Sequence, residues 1–171
     1  MSDSHPTPPR SILFVCLGNI CRSPLAEGVL EHLAQEAGLD ESLRIDSAGT
    51  GSWHVGEAPD PRSIEVAERN GVTLSSRGRQ VTVADFHDFD LILAMDRSNF
   101  RELEQLRDEL ADPSAAAELR LFREFDPEAE GDLEVPDPYF GGPGGFDDVY
   151  EMVLRGCRTL LDEIGPGRQE G

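Results

Sequence analysis

The chain has 171 residues, 38% of them hydrophobic, which suits one domain built around a single core. Its formal net charge is −19, with 34 acidic residues against 15 arginines and no lysine, and so acidic a surface argues against general nucleic-acid binding. Three cysteines, an odd number, argue against a secreted disulfide scaffold, and the apolar run at 12–17 is too short to span a membrane. We therefore expect a cytoplasmic protein.

The two ends of the chain differ in composition from the rest. Residues 1–9 are polar and proline-rich, which predicts a disordered N-terminal lead-in. We expect one folded domain over 10–165 and a flexible C-terminal tail over 166–171. The sequence contains no internal repeat or linker that would indicate a second domain.

The first apolar run, residues 11–15, predicts a buried strand. Ser23 and Pro24 predict the start of a helix, with Ser23 as its N-cap and the proline in its first position. Cys16 then follows the carboxyl end of a strand and Arg22 precedes a helix. The five residues between them must turn tightly.

This loop from Cys16 to Arg22 is typical of an anion-binding nest. Gly18 and Asn19 are the residue types that best tolerate a positive φ, so the backbone can curl and turn successive N–H groups inward. The N-terminus of the following helix attracts the same anion, and the planar guanidinium of Arg22 can hold two phosphate oxygens at once. These donors also stabilise a thiolate, so the sulfur of Cys16 should be nucleophilic at neutral pH. A buried structural cysteine is the alternative.

Beyond the loop, apolar residues recur at spacings that alternate between helix and strand, while residues 72–83 give no clear pattern. This alternation predicts an α/β domain, in which helices cover both faces of a parallel sheet and a ligand binds beyond the carboxyl ends of the strands. The predicted elements are a helix ending near Gly38, a strand at 43–48, a glycine-rich loop at 49–60, a helix from Pro61 to about Asn70, a strand at 91–94, a helix from Arg97 into 105–110, a strand at 119–122, a long loop at 126–145 and a helix at 146–164.

Several further motifs follow the loop in a fixed order. They are Asp-Ser-Ala-Gly-Thr at 46–50, Trp-His-Val-Gly at 53–56, Pro-Asp-Pro-Arg at 59–62, Ala-Met-Asp-Arg-Ser-Asn at 94–99 and Asp-Pro-Tyr-Phe-Gly at 137–141. With the cysteine-arginine loop, they make the chain, from about residue 10 to 164, resemble the low-molecular-weight protein tyrosine phosphatase family. The resemblance implies a single three-layer domain with a four-stranded parallel sheet in the order 2-1-3-4. It also implies hydrolysis of phosphotyrosine through a cysteinyl-phosphate intermediate.

The resemblance assigns three catalytic residues. Cys16 is the nucleophile, Arg22 compensates the charge of the equatorial oxygens, and Asp137 is the general acid that afterwards activates water. The long loop contains other aspartates, and an Asp-Pro pair is ordinarily a turn. Only the resemblance singles out Asp137.

The resemblance also indicates which residues surround the substrate. Trp53 and Tyr139 match the aromatic residues that flank the phosphotyrosine ring. Ser23 is placed to offer its hydroxyl to the Cys16 thiolate, and Asn19 is expected in a left-handed conformation with Ser47 among its partners. The full predicted substrate-binding set is Leu17, Gly18, Asn19, Ile20, Cys21, Ser23, Trp53 and Tyr139.

Four further positions bear on specificity, redox behaviour or packing. Ser76 stands where the family often has histidine, and Ile20 stands where related protein arginine phosphatases tend to carry threonine, which favours phosphotyrosine. The resemblance implies that Cys21 forms a reversible disulfide with Cys16; a thiol that only packs the loop is the alternative. Cys157, on the apolar side of the last helix, is predicted to belong to the core.

Other functions stay open: a phosphoarginine phosphatase, an arsenate reductase or a catalytically silent phosphate-binding module. Arsenate reduction requires a relay of further cysteines, and none lies between Arg22 and Arg155. A silent module is disfavoured because the nucleophile, the arginine and the acid are all present.

No cofactor and no metal are predicted, because His54 and His87 are too scattered for a metal site and no spacing resembles a zinc motif. The expected partner is a phosphotyrosine-containing protein, such as a bacterial tyrosine kinase, with no nucleic acid and no membrane. A monomer is expected, with weak dimerisation left open.

Overall fold

The computed structural model describes residues 9–112, 116–139 and 145–164. The predicted lead-in at 1–9, apart from its last residue, and the predicted tail at 166–171 lie outside the described residues.

A four-stranded parallel sheet forms the centre of the domain. Its strands are paired in the order β2-β1-β3-β4, which confirms the predicted topology. Every residue of β3 is buried, as expected for a parallel strand covered on both faces. The strands are β1 (Ser11–Cys16), β2 (Arg44–Gly49), β3 (Leu91–Ala94) and β4 (Glu118–Leu121).

Five α-helices in the described part of the chain cover the two faces of the sheet. Three of them pack on one face and two on the other, which gives the predicted three layers. Helices α1 (Arg22–Glu36), α2 (Pro61–Arg69) and α5 (Gly145–Ile164) share the first face, and α3 (Asp85–Asp88) and α4 (Arg97–Arg107) share the second.

Alternate side chains of β1 enter two separate cores. Ile12 and Phe14 pack under α1, α2 and α5, whereas Leu13 and Val15 pack under α3 and α4. All four side chains are fully buried. The strand that ends at Cys16 is therefore held by apolar packing on both sides.

The start of α1 differs from the prediction. The helix begins at Arg22 with Cys21 as its N-cap, so Ser23 lies inside the first turn and the predicted Ser23 cap is wrong. The reason is that the loop backbone is already right-handed at Cys21, with φ −116° and ψ −75°. The hydroxyl of Ser23 is thereby released for other contacts.

Two further elements also differ from the sequence-based expectation. Strand β4 ends at Leu121 rather than at Phe122, which begins a 3₁₀ turn and packs edge-on against Phe14, with ring centroids 5.7 Å apart. Helix α3 was not predicted, because four residues are too few to show a helical period. Its Asp85 carboxylate accepts a hydrogen bond from the backbone N–H of Thr82 at 2.8 Å, which holds the turn that leads into the helix.

Candidate active site

The chain after β1 curls into a closed loop between Cys16 and Arg22. Asn19 has a φ of 59°, which confirms its expected left-handed conformation, but Gly18 does not have a positive φ. The glycine instead allows a close approach of His54, since an added Cβ there would lie 3.2 Å from Cδ2 of that side chain. The prediction for Gly18 was wrong because a bend in the chain and a tight side-chain contact select the same residue type.

The end of β2 fixes the back of this loop. The backbone N–H groups of Thr50 and Gly51 donate to the carbonyls of Cys16 and Leu17, both at 2.9 Å. Residues 17–21 donate no backbone N–H to any group that the structure describes. The loop therefore directs carbonyls toward β2 and keeps its N–H groups available, as an anion-binding nest requires.

The thiol of Cys16 has a specific hydrogen-bond partner. Its sulfur lies 3.0 Å from Oγ of Ser23, and Nδ2 of Asn19 donates to Oγ of Ser23 at 2.9 Å and to Oγ of Ser47 at 3.0 Å. The hydroxyl of Ser23 has two acceptors within reach, the sulfur of Cys16 at 3.0 Å and the carbonyl of Ala48 at 3.4 Å, and the contact with the sulfur is the shorter. The side chain of Ser23 therefore joins the sulfur to the polar contacts behind the loop.

Two residues that sequence analysis did not identify orient this network. Oγ of Ser47 donates to Oε1 of Glu27 at 2.6 Å, and the backbone N–H of Arg79 donates to Oδ1 of Asn19 at 2.9 Å. Burial raises the pKa of Glu27 to about 7, although hydrogen bonds from Ser47 and Ser76 lower it. The only sequence signal was an acidic residue one helical turn after Ser23, on the buried side of α1.

The side chain of Arg22 is almost entirely buried beside the loop. Nη1 donates to Oδ2 of Asp96 at 2.7 Å and to the carbonyl of Val135 at 2.9 Å. Burial lowers the pKa of Arg22, but the negative charges of Cys16 and Asp96 outweigh it and raise that pKa above its usual value. Nε of Arg22 is buried and has no hydrogen-bond partner in the described part of the chain, so this donor remains for a ligand.

Asp96 was not among the predicted site residues. It is the N-cap of α4, where Oδ1 accepts from the backbone N–H of Asn99 at 2.8 Å while Oδ2 accepts from Arg22. The sequence signal for this N-cap was an aspartate directly before the predicted helix start at Arg97. The contact of Asp96 with Arg22 gave no such signal, because 74 residues separate the two.

Asp137 approaches the loop from the segment before α5. Its side chain is 39% exposed, and Oδ2 lies 3.6 Å from Nη2 of Arg22. Oδ1 accepts a hydrogen bond from the backbone N–H of Tyr139 at 3.0 Å. The structure thus brings Cys16, Arg22 and Asp137 to one cavity.

That cavity separates the predicted substrate-binding residues into two groups. Asn19 and Ser23 are buried behind the loop and bonded to each other. His54, which sequence analysis left without a role in this cavity, stands at its edge with Nδ1 2.9 Å from Oε1 of Glu57. The remaining predicted residues line the cavity: Leu17, Gly18, Ile20, Cys21, Trp53 and Tyr139.

The entrance of the cavity is apolar. Trp53 is 69% exposed, and Leu17 and Tyr139 are each 41% exposed, which is unusual for side chains of this size. The indole of Trp53 lies so close to Gly51 that an added Cβ would come within 1.9 Å of Cζ3. Aromatic and aliphatic side chains therefore border a polar floor that carries the thiol.

The other two cysteines differ from Cys16 in their surroundings. Burial raises the pKa of Cys21 to about 12, and the nearby carboxylate of Asp60 adds to the effect. Burial also raises the pKa of Cys157, which packs in the core as predicted. All three cysteines are free thiols.

No helix in the described ranges is long and apolar enough to cross a membrane. Among the same residues, no three or more His, Cys, Asp or Glu side chains are grouped so that they could hold a metal ion. The predicted lack of a cofactor stays a prediction.

Comparison with known proteins gives consistent matches over nearly the whole chain. The family described as "Low molecular weight phosphotyrosine protein phosphatase" matches residues 11–170. A low molecular weight protein-tyrosine-phosphatase of Streptomyces coelicolor is 46% identical over 154 residues, which cover 90% of this chain and 92% of that protein.

Two solved structures are equally similar in fold. A Drosophila arginine phosphatase matches with a TM-score of 0.82 and 38% identity, covering 88% of this chain and 95% of the other. A protein tyrosine phosphatase of Entamoeba histolytica matches with a TM-score of 0.82 and 38% identity, covering 93% and 99% respectively.

Proposed function

Because the chain belongs to the low molecular weight phosphotyrosine protein phosphatase family, we propose that Cys16, Arg22 and Asp137 carry its protein-tyrosine-phosphatase activity. The observation that carries this assignment is the set of unused donors around the thiol. The N–H groups of residues 17–21 and Nε of Arg22 have no partner in the described chain. Arg22 and four of these five loop residues line the cavity that contains Cys16. A phosphate group supplies the oxygens that such donors require.

The first step forms the cysteinyl-phosphate. The thiolate of Cys16 attacks phosphorus, the bond between phosphorus and the aryl oxygen breaks, and Asp137 transfers its proton to the departing oxygen. Arg22 and the loop N–H groups bind the equatorial oxygens, where charge must be stabilised in the transition state. Ser23 stabilises the thiolate before attack through its contact of 3.0 Å.

The second step releases phosphate. Asp137, now a carboxylate, takes a proton from a water molecule as the water oxygen attacks phosphorus. The bond between sulfur and phosphorus breaks, and Cys16 leaves as a thiolate, ready for another turnover. Both steps use the same carboxyl group in opposite protonation states, which suits an aspartate that is exposed at the cavity edge.

The apolar entrance supports an aryl substrate. Trp53 and Tyr139 can contact the two faces of a phenyl ring, and Ile20 adds an aliphatic side chain to the cavity. Phosphoarginine is the second candidate, because a Drosophila arginine phosphatase shares the fold at a TM-score of 0.82. A guanidinium substrate would gain less from an apolar entrance, so we expect higher kcat/KM for phosphotyrosine than for phosphoarginine peptides.

The test is metal-free hydrolysis of para-nitrophenyl phosphate, with EDTA present, over a range of pH. We expect activity in the wild type, none in Cys16→Ser, and loss of the basic limb of the pH profile in Asp137→Asn. Asp132→Asn is the matched control, because Asp132 lies in the same loop and is 74% exposed. Activity that survives in Cys16→Ser would falsify the assignment of the nucleophile.

We propose a cytoplasmic monomer whose substrate is a tyrosine-phosphorylated protein such as a bacterial tyrosine kinase. We further propose that Cys21 forms a disulfide with Cys16 when peroxide oxidises the loop, with water as the reduced product. A mass lower by two hydrogens, with activity restored by dithiothreitol in the wild type but not in Cys21→Ser, is the expected result.

A further inference from the structure

The segment that carries Asp137 is attached to the domain at two points. At its start, the backbone N–H of Val135 donates to the carbonyl of Met95 at 2.8 Å, and the carbonyl of Val135 accepts from Arg22. At its end, the carbonyl of Tyr139 accepts from Nη1 of Arg62 at 3.3 Å. The first attachment, through Arg22, is part of the site already described. The second is made by Arg62, which lies in α2.

Arg62 lies in the first turn of α2, and all three nitrogens of its guanidinium donate hydrogen bonds. Nε and Nη2 donate to the two carboxylate oxygens of Asp60, both at 3.0 Å, and the flat face lies over two rings. The distances from Cζ to the ring centroids are 4.6 Å for Phe146 and 5.3 Å for Tyr139. Both distances are within the range of cation–π attraction.

Asp60 joins this arginine to the phosphate loop. Its backbone N–H donates to the carbonyl of Ile20 at 2.7 Å, and its side chain is only 7% exposed. A continuous series of hydrogen bonds therefore runs from Ile20 through Asp60 and Arg62 to Tyr139. Tyr139 then donates its N–H to Oδ1 of Asp137 at 3.0 Å, so the position of its backbone sets the orientation of that carboxyl.

We propose that Arg62 is a positioning residue for the general acid, holding residues 137–139 at the loop so that the carboxyl of Asp137 faces the leaving oxygen. The proposal rests on the catalytic role proposed above for Asp137. Lysine cannot replace Arg62, because a point charge cannot bind Asp60 through two donors, reach the carbonyl of Tyr139 and lie over two rings together.

The test is the dependence of kcat/KM on the basicity of the leaving phenol. A strongly acidic phenol such as 2,4-dinitrophenol leaves without a proton, whereas phenol itself needs one. We expect Arg62→Gln to hydrolyse dinitrophenyl phosphate at nearly the wild-type rate and to lose about tenfold on phenyl phosphate, a part of the usual contribution of a general acid. Asp137→Asn should show the same trend with a larger loss.

Three further variants make the outcome specific. Arg69→Gln removes another exposed arginine of α2, which pairs with Asp147 at 3.1 Å, and should show no dependence on the leaving group. Arg62→Lys keeps the charge and should behave like Arg62→Gln. In the Asp137→Asn background, Arg62→Gln should add no further dependence on the phenol.

Several results would overturn the proposal. They are an equal loss on both substrates in Arg62→Gln, full activity in Arg62→Lys, or a dependence on the phenol that Arg62→Gln still adds when Asp137 is already asparagine. If Asp137→Asn itself shows no dependence on the phenol, the acid has been misassigned and the failure lies in the proposed function. Thermal unfolding of each variant shows whether a general loss of structure accounts for a general loss of rate.

Discussion

The two halves of the site are attached to the domain in different ways. The half that holds Cys16 and Arg22 continues from a strand buried on both faces, and the side chain of Arg22 is 2% exposed. The half that holds Asp137 is a surface segment, and that side chain is 39% exposed. The residues that bind phosphate must stay fixed in position. The segment that carries the general acid must instead let the substrate enter and the product leave.

The difference extends to the contacts behind each half. Asn19, Ser23 and Ser47 are almost completely buried and bonded to one another behind the loop. Arg62, which holds the other half, is 47% exposed. We therefore expect substitutions behind the loop to affect folding as well as rate, and substitutions near Asp137 to affect rate alone.

The largest effect is expected from Arg22→Lys. The lysine cannot reproduce the two-pronged contact with phosphate, so kcat/KM for para-nitrophenyl phosphate should fall by about a hundredfold or more. Arg101→Lys, at an exposed position of α4, is the control and should leave kcat/KM unchanged. A loss below tenfold in Arg22→Lys would mean that the buried half tolerates more freedom than the comparison implies.

The next largest effect is expected from Asn19→Ala. Alanine is strained at a φ of 59°, and the N–H of Arg79 loses its acceptor, so the free energy of unfolding should fall by about 2–4 kcal/mol. Asn19→Gly is the matched control, because glycine relieves the strain but not the lost hydrogen bonds. Urea unfolding of both variants separates these causes, and equal stability of the alanine and glycine variants would show that strain contributes nothing.

Glu27→Gln tests whether burial of the Glu27 carboxyl behind the loop lowers the free energy of unfolding when that carboxyl is charged. The folded-state pKa of Glu27, about 7, exceeds its ordinary value of 4.5 because of burial, so the folded protein retains this proton more strongly than the unfolded chain. Wild-type stability should therefore decline as pH rises from 4.5 through 7, by on the order of 3 kcal/mol at most.

In Glu27→Gln this decline should be absent, while the amide oxygen still accepts from Ser47. The measurement is the free energy of unfolding of both proteins at several pH values. The free energy of unfolding of Glu27→Gln minus that of the wild type should increase as pH rises from 4.5 through 7, and should stay constant above that range. A difference that is independent of pH would contradict a raised pKa at Glu27.

The smallest effect is expected from Gly51→Ala at the exposed entrance. The new methyl carbon would lie 1.9 Å from Cζ3 of Trp53, so the indole must move away from its present place. KM for aryl phosphates should therefore rise about threefold, which is the scale of one lost aromatic contact. Inhibition by inorganic phosphate, which has no ring, should not change. A change in phosphate affinity would mean that the entrance and the loop are not independent.

The same comparison explains which parts of the site the sequence predicts. The loop is predicted well because its strand, its tight turn and its helix start are contiguous, so local pattern is sufficient. Asp96 and Glu27 are not predicted from the sequence. Asp96 contacts Arg22, which is 74 positions away, and Glu27 contacts Ser47, which is 20 positions away. Single-sequence patterns carry no information about such pairs.

Ser23 illustrates a second limit. Serine before proline at a helix start ordinarily caps the helix, and this local preference led to a wrong N-cap. In the folded protein the hydroxyl contacts Cys16 and Asn19 instead, because the helix begins two residues earlier than predicted. Strand boundaries were displaced by one residue for a similar reason, since Phe122 is apolar enough for a strand but belongs to the following turn.

The raised pKa values of two of the three thiols have a practical consequence. Burial keeps Cys21 and Cys157 protonated at neutral pH, and alkylating reagents such as iodoacetamide react with thiolates. One adduct per molecule, located at Cys16 by mass spectrometry, should accompany complete inactivation, while an adduct that appears first on Cys21 would contradict this order. The amount of reagent consumed would then count the competent enzyme molecules in a preparation, independently of any substrate.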